Sequence, residues 1–197
     1  MSKLLYQFKI TLKGIEPPIW RRIQTKDCTL DKLHEHIQTV MGWQNCHLHL
    51  FKIDDQVYSD PLLMEEDFVE QGHEDSTETK LSQLLAKNGP TTLIYEYDFG
   101  DGWKQEVYFE GNSKPTPGVE YPLCLEGERA CPPEDVGGVH GYEEYCKAMA
   151  NRSHKRHQEF LEWRGPFDPE AFDADETTNR MREGLPEASE EEEEWLI

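Results

Sequence analysis

The chain has 197 residues, with 20 Lys plus Arg against 40 Asp plus Glu, a formal net charge of −20 at pH 7. That length suits one domain, or one domain with an appended part, and is enough to bury a real core. Such an excess of acid disfavours generic nucleic-acid binding, which depends on Lys and Arg neutralising phosphates. The one local basic patch is Lys9, Lys13, Arg21 and Arg22.

Leu4–Lys13 alternates, with Tyr6, Phe8, Ile10 and Leu12 on one face and Gln7, Lys9 and Thr11 on the other, which predicts a half-buried strand. Gly14 and Pro17-Pro18 break it, and Ile19–Gln24 reads as a second strand returning antiparallel. Thr29 caps a predicted helix to about Met41, in which Leu30, Leu33, Ile37, Val40 and Met41 form one stripe and Gly42 ends the run. His47–Ile53 reads as a third strand. Residues 59–78 are polar and acidic and read as an excursion. Leu81, Leu84 and Leu85 suggest a short helix stopped by Asn88-Gly89-Pro90.

Thr92–Asp98 and Trp103–Glu110 are predicted strands joined by a tight turn at Phe99-Gly100-Asp101-Gly102. Residues 111–141 are rich in Gly and Pro and read as a long irregular loop. Tyr142, Tyr145, Cys146 and Met149 then mark an amphipathic helix, Ser153 caps another reaching Trp163, and Asp168-Pro169 opens a short turn through Phe172. The end, from Glu187, carries Glu190–Glu194 and reads as a disordered tail.

These elements predict an α+β fold: a β-β-α-β-β-β roll-like sheet with one main helix packed on it, plus a helical C-terminal extension. Residues 1–110 form the roll core, 111–183 the loop and helical part packed on it, and 184–197 the acidic tail. Five cysteines (Cys28, Cys46, Cys124, Cys131 and Cys146) at irregular spacing, no leader sequence and no apolar run near the ~20 residues of a membrane span point to a cytoplasmic chain with reduced thiols and no membrane partner.

The candidate chemistry starts at His47 and His49. Two positions apart on a strand they share a face, roughly 6.5–7 Å apart. Both imidazoles can then reach one divalent ion at about 2.0–2.1 Å, with a third ligand from another element. The bland alternative is that they flank Phe51 and bond locally. His34 and His36 lie about 200° apart on their helix and cannot share an ion. Asp98 and Asp101 bracket the tight turn, where they can bind a cation or merely accept backbone N–H groups.

Cys124 and Cys131 are spaced too widely for a zinc knuckle, which leaves a mixed site with Glu134 and Asp135 or thiols that simply pack or lie idle. Cys46 points away from His47, a poor dyad. Glu134 and Asp135, before Gly137-Gly138, can attract a cation on a recognition loop or simply dock the helical part. Arg21 and Arg22 are expected to pair with acidic residues of the hairpin.

Several peptides occur together: Pro17-Pro18-Ile19-Trp20-Arg21-Arg22; Leu33-His34-Glu35-His36-Ile37-Gln38 with Met41-Gly42-Trp43; His47-Leu48-His49-Leu50-Phe51; Tyr97-Asp98-Phe99-Gly100-Asp101-Gly102-Trp103; Ala130-Cys131-Pro132-Pro133-Glu134-Asp135 with Gly137-Gly138 and Gly141-Tyr142; and Phe167-Asp168-Pro169 with Phe172-Asp173. In this order, over about residues 4–182, the chain resembles the plasmid ORF-three-like family, first named from an Ri plasmid reading frame and often labelled TnpR, passenger proteins of an insertion element.

The resemblance implies an α+β roll and brings no catalytic residue set. The TnpR label would imply a resolvase. The serines here (Ser2, Ser59, Ser76, Ser82, Ser113, Ser153, Ser189) do not sit among the arginines such a nucleophile needs, and the chain's end is acidic. The leading expectation is therefore a binding or interaction module of mobile-element type, for a protein or small-molecule partner. Its recognition face would be built by Asp98, Asp101, Trp103, Glu134 and Asp135. The alternative is a metal-dependent hydrolase-type enzyme with His47 and His49 as ligands and Asp98 or Asp101 as third ligand or base. A DNA-associated passenger protein is a third, opposed by the charge.

Overall fold

Alternation in the first strand sets the architecture. A computed structural model describes residues 4–59, 72–85 and 91–185. In it β1 (Leu5–Leu12) buries Tyr6, Phe8, Ile10 and Leu12 and turns Gln7, Lys9 and Thr11 outward. β2 (Ile19–Lys26) returns antiparallel, with Phe8 opposite Ile23 and Leu12 opposite Ile19. The N-cap of α1 (Leu30–Met41) is Thr29, whose hydroxyl accepts from Lys32 N at 3.2 Å, and Gly42 closes the helix in the left-handed region at φ +81°. The predicted apolar stripe of α1 is buried as expected.

The remaining elements are β3 (His49–Ile53), β4 (Gln56–Ser59), β5 (Glu74–Asp75), α2 (Leu81–Leu85), β6 (Thr91–Tyr97), β7 (Trp103–Ser113), β8 (Leu123–Glu128), α3 (Gly138–Ala150), α4 (His157–Arg164) and α5 (Ala174–Glu183). The described strands form one eight-stranded sheet in the order β5-β4-β3-β6-β7-β1-β2-β8, antiparallel except for β4 with β5. The inner-face residues of the strands and the buried residues of α1, α3, α4 and α5 join in one hydrophobic cluster. The fold is α+β, as the order of elements predicts.

Several elements depart from expectation. β3 starts at His49, because the chain is still in a bend at His47. The Gly/Pro segment 111–141 is not wholly irregular: β7 runs on to Ser113, and β8 adds a strand to the edge at β2. A bulge between Arg22 and Ile23 and a burial pattern with few apolar inward residues hide β8 from a period-2 reading. The helix expected from Ser153 begins at His157. After the Asp168-Pro169 turn, a further helix, α5, is capped by Asp173, which accepts from Glu176 N at 2.8 Å. Its many charged residues mask the small buried stripe of Thr177, Thr178 and Met181. The Asn88-Gly89-Pro90 stop, most of the acidic excursion and the tail from Glu187 lie outside the described residues.

Thr178 also finishes the edge of the sheet. Its hydroxyl accepts from Cys124 N at 2.9 Å and lies 3.3 Å from Cys124 O, satisfying backbone groups of β8 that no further strand among the described residues pairs.

His36 faces away from the cleft described below, its Nε2 3.0 Å from Thr25 Oγ1. Burial, and then Lys32, lower its pKa from 6.5 to about 4. The unfolded chain therefore binds the extra proton between those two values. The His36 contribution to stability is complete above pH 6.5 and is lost as pH falls toward 4. Between pH 7.5 and pH 5 this one group is expected to remove roughly 2 kcal/mol. Urea denaturation at the two pH values checks it: His36→Gln should flatten that part of the slope, and an unchanged slope would count against the assignment.

Candidate functional site

The segment between α1 and β3 buries Trp43 but leaves Asn45 and Cys46 exposed and His47 half-buried. It meets the turn between β6 and β7. Asp98 opens that turn at φ +53°, a left-handed conformation Asp tolerates. Its Oδ1 accepts from Gly100 N at 2.9 Å and Asp101 N at 3.1 Å. Its backbone N–H donates to Leu48 O at 3.1 Å, tying the turn to the lead-in of β3. The other carboxylate oxygen, Oδ2, lies 3.6 Å from His47 Nε2.

The loop before α3 supplies a third group. Asp135, at φ +59°, places Oδ1 3.0 Å from the same His47 nitrogen. Asp101 does not join them; its Oδ2 accepts from Gly137 N at 3.0 Å and so pins the loop to the turn. Gly138 makes the approach close enough, since a Cβ there would sit 2.5 Å from Asp101 O. Glu134 points inward. Its Oε1 accepts from Gln44 N at 2.9 Å and Tyr97 Oη at 3.0 Å, and burial raises its pKa. Trp43 Nε1 donates to Pro132 O at 2.9 Å. Among the described residues, His47, Asp98 and Asp135 are the group whose potential ligand atoms all lie within 4.8 Å of one another.

His49 takes a different place from His47. It is 5% exposed and stacks on His34, with ring centroids 3.5 Å apart and planes 4° apart. Burial lowers its pKa to about 4, so the ring is neutral near pH 7. The pair expected to share one strand face is thus divided by the start of β3. His47 meets the carboxylates, and His49 lies in the wall behind.

The wall is held by a closed set of bonds. Asn45 N donates to Gln38 Oε1 at 3.0 Å, and Gln38 Nε2 donates to Tyr95 Oη at 2.9 Å. Tyr95 Oη lies 2.7 Å from His34 Nδ1, and His34 Nε2 lies 2.7 Å from Asn45 Oδ1. Because Asn45 Oδ1 only accepts, Nε2 of His34 carries the proton and Nδ1 accepts from Tyr95. That fixes the tautomer of the ring on which His49 stacks.

His34, Asn45, His47, His49, Asp98 and the half-exposed Phe99 line a cleft of about 780 Å³. Asn45 carries no signal in the sequence, and His34 reads there only as a structural or surface histidine. The available signal was helical position, since His34 stands on the edge of the apolar stripe four residues after Leu30. Trp103 does not contribute a recognition surface: the alternation of β7 turns it inward, where it is 1% exposed and packs near Trp43. Cys131 is likewise engaged, its Sγ accepting from Arg21 Nη2 at 3.2 Å.

A single sheet with one face buried under helices, and an imidazole set between two carboxylates at one end, define an α+β protein with a candidate cation or ligand site. The chain belongs to the family described as Plasmid pRiA4b ORF-3-like protein, which it matches over residues 4–176. It is 38% identical over 169 residues to the protein named Uncharacterized protein y4hQ from Sinorhizobium fredii, covering 85% of this chain and 84% of that one. The crystal structure of a protein of unknown function, MM3350 from Methanosarcina mazei Go1, shares the fold with a TM-score of 0.77 and 35% identity, covering 89% of this chain and 98% of that one.

Proposed function

We propose that this protein is a recognition module whose binding site is the cleft between α1, the His47 segment and the β6–β7 turn. The observation that carries this reading is convergence. The turn and the Gly/Pro loop, far apart in sequence, are joined by the Asp101–Gly137 bond and meet at His47, which with Asp98 lines the cleft. A concave site with a few convergent polar groups is the usual form of a ligand pocket. Phe99, half exposed on the turn, supplies an apolar rim.

A nucleic-acid partner fits less well. Most cations on the outer face of the sheet are already paired: Arg22 with Glu110 and Glu126, Lys52 and Lys104 with Glu96, and Lys13 with Glu106, while Lys9 lies over the Trp20 ring. Phosphate binding would have to break these pairs within a chain of net charge −20. Among the described residues no helix is long and apolar enough to cross a membrane.

The test is a fragment screen by two-dimensional NMR on the full chain in chelator. Hits are expected to move the amide signals of Asn45–His49 and Asp98–Gly100 together. Hits confined to other surfaces, or none in a diverse library, would remove the reading.

A further inference from the structure

We propose that His47, Asp98 and Asp135 form a three-ligand centre for a divalent transition-metal ion of the zinc or manganese class, at the edge of the cleft that His47 and Asp98 line. This inference rests on reading that cleft as the binding site, and names the chemistry the site uses.

Geometry is the first support. Two ligand atoms bound to one tetrahedral ion at about 2.0–2.1 Å are themselves about 3.3 Å apart. His47 Nε2 lies 3.0 Å from Asp135 Oδ1 and 3.6 Å from Asp98 Oδ2, on either side of that value. All three atoms fall within 4.8 Å of one another, so an ion needs only small side-chain rotations. The donor set suits the ion class. One imidazole with two carboxylates neutralises a 2+ charge and mixes nitrogen with oxygen, which favours zinc or manganese over calcium or magnesium.

Preorganisation is the second support. The far oxygen of Asp98 is held by two backbone N–H groups of its own turn, which leaves Oδ2 directed at His47. Asp135 is placed by a left-handed backbone and by the docking of its loop on Asp101. Outer bonds of this kind orient metal ligands. A plain surface ion pair between His47 and Asp135 would need none of it and would contribute little.

A third observation is independent of the cluster. His49 is 5% exposed and lines the same cleft, yet its Nε2 has no hydrogen-bond partner among the described residues. A buried ring nitrogen without a partner is costly. A ligand seated in the cleft would supply one. Three protein ligands leave the ion a position for such a ligand, as in metal sites that bind or act on small molecules rather than merely brace a fold.

The experiment is calorimetric titration of the chelator-stripped full chain with zinc chloride and, separately, manganese chloride. One ion per chain is expected, with affinity reduced at least tenfold in each of His47→Gln, Asp98→Asn and Asp135→Asn. Because Asp98 also shapes its turn, Asp135→Asn, on an exposed side chain, is the decisive variant if Asp98→Asn unfolds. Cobalt substitution gives a second readout, since a centre with an imidazole and two carboxylates shows visible d–d bands that His47→Gln removes. No binding at millimolar metal, or binding unchanged in Asp135→Asn and His47→Gln, would overturn the proposal. The titration contains no organic ligand and the fragment screen contains no metal, so the two readings fail separately.

Discussion

Gly141→Ala is expected to undock the loop that carries Glu134 and Asp135 and to cost on the order of 3–5 kcal/mol. Gly141 stands in the first turn of α3, and a Cβ there would overlap the carbonyl oxygen of Val136 and come within 2.8 Å of its carbon. The chain reaches this crowding because Asp135, Gly137 and Gly138 all take positive φ and fold the loop back over the helix start. The loop cannot slide away freely. Gly137 N is bonded to Asp101, Pro132 O to the Trp43 indole, and Glu134 to Gln44 and Tyr97.

Relief of the overlap therefore breaks some of these anchors. Trp43 fluorescence should report it, together with a lowered urea midpoint, and metal affinity should fall with them. Gly118→Ala is the contrasting variant: Gly118 has a positive φ, +80°, which Gly141 in its helix does not, but nothing lies within 4 Å of its Cβ, so it should cost only about 1 kcal/mol of backbone strain. A loss at Gly141→Ala no larger than that at Gly118→Ala would remove the close approach to Val136 as a strong constraint.

What could be read beforehand follows from the same contrast between local and distant causes. β1, β2 and α1 are legible because period and caps are local: four alternating apolar residues, a Thr N-cap and a Gly at the C-terminus state their own structure. β8 and α5 are not, because their stability comes from partners. β8 exists by pairing with β2 and by the Thr178 hydroxyl, and α5 buries only a narrow stripe.

At the site, His47, Asp98 and Asp135 were each visible as residue types, since turns and loops select Asp for backbone reasons and a surface His is conspicuous. Their meeting was not visible. It depends on β3 starting two residues later than alternation suggests, and on a glycine contact between residues 101 and 138. His34 and Tyr95 were hidden for a related reason. They read as stripe-edge and core residues, and only the tertiary fold joins them through Asn45 and Gln38.

Arg21→Met should cost about 3–4 kcal/mol, against no more than about 1 kcal/mol for Arg22→Met. The two arginines are neighbours in sequence, and the alternation of β2 sends them to opposite faces. Arg22 faces out and meets Glu110 and Glu126, as a hairpin pairing would have it. Arg21 faces in, at 3% exposure, and among the described residues meets no carboxylate. Instead its guanidinium donates to the carbonyls of Trp20 and Glu128 at 2.8 Å, of Arg129 at 2.6 Å and of Val40 at 3.3 Å, and lies 4.4 Å above the Phe172 ring.

A methionine keeps much of the stem volume but leaves buried acceptors without donors, and unmade bonds cost more than made ones contribute. A lysine should recover little, because a single ammonium cannot serve acceptors spread around a planar fork. These carbonyls belong to β2, the end of α1, the end of β8 and Arg129 just after it, so Arg21 fastens together the elements that lead into the loop carrying Asp135. Urea denaturation of the Arg21→Met, Arg21→Lys and Arg22→Met variants measures the difference, and similar losses for Arg21→Met and Arg22→Met would remove the assignment. If it holds, Arg21→Met should also weaken metal binding from a distance of several residues, through the position of Asp135 rather than through charge.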